Sequence, residues 1–147
     1  MVDTRISENS PVSVQLGATT YTGVVLVAIK IQAVGGGDIV KARSVANSHV
    51  PIGVTDHPKE AIVVVTLDAD VLPALIAANY VNMTAANTAL SALIITEKAT
   101  DGKTRTVTFT AANSKVQGVS GKNATLGEQV HEVTILTYGA ITYSAWV

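Results

Sequence analysis

The sequence predicts a mainly β protein, a β-sandwich or small barrel with one flanking α-helix, and three observations carry that reading. Short segments dense in Val, Ile and Thr recur along the chain with period-two alternation, and clusters of Gly, Pro, Asn and Asp separate them. A single segment, about 70–80, has helical spacing instead. The 147 residues suit one domain, expected to span 1–147 with a projecting loop at about 46–59 and an extended C-terminal segment at 139–147.

Val12 to Leu16, opened by Pro11 and closed by Gly17, reads as a first strand, followed by a Thr-rich link through Thr22. Gly23 to Val34 is a long strand. Its first half is apolar on both faces, which predicts burial on both sides. Its later half sets Ile29, Ile31 and Ala33 against Ala28, Lys30 and Gln32, so one face there meets water or another subunit. Gly35-Gly36-Gly37-Asp38 is a turn, because three glycines lose the most backbone freedom on ordering and accept positive φ. Ile39 to Val45 follows, with Lys41 and Arg43 on one face. Residues 46–59 read as loop, brief strand at Ile52 and Val54, and loop, a contact arm.

Ala61 to Leu67 is rich in β-branched residues and is the expected central strand. Asp68 and Asp70 stand where N-caps belong, Pro73 suits a first helical turn, and Leu72, Leu75, Ile76 and Tyr80 share one helix face. Ser91 to Lys98 and Thr104 to Thr110 form a hairpin through Asp101-Gly102. In its second strand Arg105, Val107 and Phe109 oppose a ladder of Thr104, Thr106, Thr108 and Thr110. Lys115 to Ser120 and Gln129 to Tyr138 are further strands around a polar loop, with Val133 and Ile135 opposite Leu136 and Tyr138. Gly139 ends the last of these, and the chain end carries Tyr143 and Trp146, which should dock on something.

Hydrophobic residues make up 48% of the chain and charged residues 14%, a thin supply of charge for a monomer's surface that points to self-assembly. Ten basic against eleven acidic side chains provide no global field for nucleic acid or anionic lipid. There is no cysteine for a disulfide, a thiolate nucleophile or a Cys-based metal site. No signal-peptide pattern opens the sequence, which predicts synthesis in the cytoplasm, and its longest apolar stretch is interrupted by Lys30 and Gln32 and is too short to anchor it in a membrane.

No catalytic, cofactor or metal site is expected. His49 and His57 with Asp56 could converge on a metal but read as solvated loop residues, and His131 reads as a surface or interface residue. The Gly35 to Gly37 run lacks the lysine of a phosphate loop and precedes a strand. Asp68 and Asp70 could pair as catalytic carboxylates, but capping accounts for them, and no G-x-S-x-G elbow is present.

The layout is similar to the tail-tube subunits of tailed bacteriophages and contractile injection machines. Carrying segments are Gly23 to Val34, Ala46 to Lys59, Ala61 to Tyr80, Ser91 to Thr110, Asn113 to Gly118 and Gln129 to Tyr138. The resemblance implies hexameric rings that stack, with long strands from each copy joined around a lumen through which DNA passes as non-specific cargo. It also implies other virion proteins as partners and a place in the virion. Pro51, Ile52, Asp56, His57, Pro58, Tyr143 and Trp146 would then serve the subunit interface, and Lys30, Gln32, Thr106 and Thr108 a lumenal or inter-subunit face. Gly23-Val24-Val25 and Val50-Pro51-Ile52-Gly53-Val54 also look like the opening strands of capsid decoration proteins, which would imply a trimer cementing the phage head.

Overall fold

The computed structural model describes residues 10–34, 39–43, 49–54, 58–68, 70–121 and 130–147, with the backbone alone for 10–12, 39–43 and 49–54. The mainly β expectation holds. The strands are β1 (Ser10–Leu16), β2 (Thr19–Tyr21), β3 (Val24–Ala33), β4 (Ile39–Arg43), β5 (His49–Val54), β6 (Lys59–Leu67), β7 (Leu93–Lys98), β8 (Thr104–Phe109), β9 (Lys115–Gly121), β10 (His131–Tyr138) and β11 (Ile141–Tyr143). Helix α1 (Leu72–Ala77) stands between β6 and β7. A five-stranded sheet has the order β11-β8-β7-β1-β2, a four-stranded sheet the order β3-β6-β10-β9, and β4 pairs with β5 alone. All pairings are antiparallel, and neither large sheet closes into a barrel.

Alternation along each strand decides which side chains the two large sheets bury against each other. Ala61, Val63, Val65 and Leu67 of β6 are buried, and register sets Val63 and Val65 beside Ile135 and Val133 of β10. From the other sheet Val14, Leu16, Leu93, Ile95, Val107 and Phe109 complete one core. Each such side chain contributes about 1.5–3 kcal/mol on leaving water. The Asp-Gly hairpin forms as expected: Gly102 takes φ +85°, its N–H donates to the Ala99 carbonyl at 3.0 Å, and Lys103 N–H donates to the Asp101 carboxylate at 3.0 Å.

Four expectations are corrected. The Thr-rich link after Gly17 contains strand β2, whose Tyr21 packs against the core. The start of β3 is not buried on both sides; β3 is an edge strand, with a bulge between Val24 and Leu26 that leaves Val25 and Leu26 both 57% exposed. Neither aspartate caps α1. The N-cap is Val71, with no side-chain bond, because burying the Val71 side chain completely in the core outweighs capping. Its partner one turn on is the buried Leu75, so the helix is six residues long and its inner face is Val71 and Leu75. Leu72 and Ile76 stay exposed, and Tyr80 instead packs on Gly17 and hydrogen-bonds Ser91 at 3.0 Å. Finally, His131 is buried, its ring filling the space that the missing side chain of Gly121 leaves.

Residues 34–58 leave the β3–β6 hairpin and return to it, with Val34 N–H donating to the Pro58 carbonyl at 2.9 Å across the base. Within this excursion β4 and β5 pair, so the brief strand read in the 46–59 arm is β5, joined to the strand read at Ile39 to Val45. The glycine turn at 35–37 lies outside the described residues.

Candidate assembly surface

The two large sheets end differently. The five-stranded sheet is bounded by β2 and β11, each three residues long, whereas the four-stranded sheet is bounded by β3, of ten residues, and β9, of seven. Short edges are a common protection against unwanted strand pairing, and long apolar ones invite it. No described strand pairs with the outer edge of β3 or β9. Part of the β9 edge is covered by the loop after α1: Leu90 N–H donates to the Ser114 carbonyl at 2.8 Å, and Asn87 Nδ2 donates to the Val116 carbonyl at 2.7 Å.

The face of the four-stranded sheet turned away from the core reads as rungs across its strands. Leu26, Thr66, Glu132 and Ser120 make one rung; Ala28, Val64, Thr134 and Gly118 the next; Lys30, Ile62, Leu136 and Lys115 the third; and Gln32, Glu60 and Tyr138 the last. Among these, Gln32 Nε2 donates to Glu60 Oε1 at 2.9 Å, and Tyr138 is 61% exposed. Lys30 and Gln32 both lie on this face. Thr106 and Thr108 lie on the outer face of the other sheet, opposite the buried Val107 and Phe109, so the two pairs do not share a surface.

The chain end does dock, and its partner is its own sheet. Tyr143 and Trp146 lie over the Arg105 guanidinium, with ring centroids 4.8 and 4.6 Å from it, and Arg105 Nε donates to Glu97 at 2.7 Å. Backbone bonds between Thr104 and Val147 and from Ser144 N–H to Thr106 extend β11 along β8. Sequence reading missed this cluster, though the Asp-Gly register that pairs Glu97 with Arg105 was in reach. Of the remaining expected interface residues, Pro51 and Ile52 lie on β5, Pro58 is exposed at the base of the arm, and Asp56 and His57 fall outside the described residues.

A shallow cavity of about 210 Å³ opens beside Ile31, Ala61, Tyr138 and Ile141, and its charged neighbours are Lys59 and Glu60 alone. No group of His, Asp or Glu suited to a metal occurs among the described residues, and the nearest carboxylate recorded for His131 is Asp70 at 3.8 Å. No described helix is long and apolar enough to cross a membrane.

No family model and no curated protein matches the sequence. Solved structures do. A chain of the anti-feeding prophage cap, the tube-terminating cap, has 11% identity and a TM-score of 0.55, covering 98% of this chain and 91% of that one. A chain of the sheath–tube complex of an extracellular contractile injection system, PVC, in its extended state has 13% identity and a TM-score of 0.51 over 90% and 87%. A chain of the virion of a native gene transfer agent particle has 14% identity and a TM-score of 0.48 over 90% and 95%. With two antiparallel sheets around one core, a lone α-helix among the described residues and the likeness to the first two of these chains over at least 90% of its length, the chain has a tail-tube-like fold.

Proposed function

We propose that the protein is a virion structural component, a tail-tube subunit that forms stacked hexameric rings around a lumen for DNA, and that it is not an enzyme. The observation that carries this reading is the contrast in sheet edges, long and without a strand partner among the described residues on one sheet and short on the other. Strand direction alternates from β3 through β6 and β10 to β9, so the two edge strands run oppositely. Copies related by rotation about an axis along the strands therefore bring β9 of one against β3 of the next in antiparallel sense, and an even strand number lets the pattern close.

The same geometry favours one lumenal face. Sheets pack about 10 Å apart and strands about 4.8 Å, so a five-stranded sheet nested inside a four-stranded wall would need more strands on a smaller circumference. It lies outside, and the rungs from Leu26 to Tyr138 line the lumen. Six copies make a wall about 115 Å round before strand tilt widens it, leaving an inner radius of roughly 18 Å to the backbone. Thr106 and Thr108 then face outward, and β5 with Pro58 reaches neighbouring copies. The protein is made in the host cytoplasm and works in the virion beside other virion proteins.

Negative-stain electron microscopy across a concentration series tests this. Hollow tubes or stacked six-fold rings are the expected result, and compact trimers binding only capsid shells would replace the reading with head decoration. Because the chain has no cysteine, paired substitutions such as Ala28→Cys with Ser120→Cys add a second readout. Seams joining β3 to β9 yield crosslinked ladders beyond the dimer, whereas a β3–β3 interface would cross-link no further than dimers.

A further inference from the structure

We propose that Lys30 and Lys115 form a cationic belt on the lumenal face that grips the phosphodiester backbone of nucleic acid independently of its sequence, a proposal that rests on the tube reading above. The two lysines end a single rung, Lys30–Ile62–Leu136–Lys115, fixed by the registers of β3 with β6, β6 with β10 and β10 with β9. Both are exposed, and neither has an ion-pair partner among the described residues. Glu60, one rung away, is engaged by Gln32, and Glu132 lies two rungs off on the other side. Between the lysines stand only Ile62 and Leu136, which offer no competing anion.

Their place on the edge strands matters as much as their charge. Lys30 is on β3 and Lys115 on β9, so every seam of the ring is flanked by one ammonium from each copy. Like charges across a seam repel, and a polyanion in the lumen relieves that repulsion. A duplex supplies about one charge per 1.7 Å of its axis, whereas an extended acidic polypeptide supplies at most one per residue, about 3.3 Å, so nucleic acid matches the belt better. Lysine ammonium groups are point charges with no base-reading geometry, and the rungs offer one aromatic, Tyr138, so the grip carries no sequence preference. Cargo and assembly become linked: what binds the closed ring stabilises it.

The test uses tubes of the full chain, checked first by microscopy, and sedimentation with a labelled short DNA duplex over a salt series. Wild-type tubes should retain the duplex with retention falling steeply as salt rises. The Lys30→Gln, Lys115→Gln double variant should form tubes of the same diameter, retain the duplex at least about tenfold less and show a shallower salt slope. Lys98→Gln, on the exposed outer sheet, should behave as wild type. Tubes of the double variant that hold DNA as firmly as wild type, or an equal loss from Lys98→Gln, would overturn the belt alone. Equal retention of poly-glutamate would overturn the assignment to nucleic acid, and failure of the wild-type chain to form tubes would bring down the tube reading and the belt with it.

Discussion

The two large sheets share one core and differ at their edges, and in the assembly proposed above that difference separates what folds the subunit from what joins it to others. The five-stranded sheet finishes on β2 and on β11, whose extension to Val147 is held down by the Arg105 clamp and by backbone bonds to β8. The four-stranded sheet finishes on β3, with Val25, Leu26 and Ile31 exposed along it, and on the free end of β9. Short, covered edges resist further strand pairing, and long edges with no described strand partner invite it.

The largest effect should come from removing the core both sheets need. Leu67→Ala, at a fully buried position, is expected to cost about 2–5 kcal/mol in thermal or urea unfolding and to disable both sheets together. A variant that melted one sheet and spared the other would break the comparison at its root. Next, Arg105→Ala removes the Glu97 ion pair and two ring contacts, for an expected loss of about 1–2 kcal/mol. Trp146 emission should shift to the red, and the uncovered β8 edge should yield irregular aggregates in place of tubes. Unchanged Trp146 emission would mean that the clamp does not hold the strap.

Smaller still for the monomer is Val25→Lys on the bulge of β3, expected to move the melting midpoint by no more than about 0.5 kcal/mol. Its assembly should nevertheless need at least about tenfold more protein, measured by sedimentation, because a charged edge resists pairing. Thr108→Val on the outer face of the blunted sheet should change neither stability nor ring closure measurably, and loss of rings from it would assign assembly to the wrong sheet.

Much of this was legible because local pattern controls it. Val133 and Ile135 against Leu136 and Tyr138, and Val107 and Phe109 against the threonine ladder, are read from alternation alone, and the Asp101-Gly102 turn from its need for positive φ. The misreadings arose where a distant partner outweighed the local signal. Asp70 looks like a cap, yet the core takes Val71 there and moves the helix start. Gly121 carries no sign of the His131 ring that rests on it, and nothing near β3 in sequence tells that no described strand pairs with its outer edge.

By itself, the sequence determined the class of the protein, the alternating faces of its strands, its hairpin and the absence of thiol chemistry, since each follows from neighbouring residues or composition. Only the tertiary structure decided that β3 and β9 are edges, that Lys30 and Lys115 share a rung and that the C-terminal aromatics close on Arg105. Strand order and register are set by hydrogen bonds between segments far apart in the chain, and those bonds are made by backbone groups that every residue carries alike.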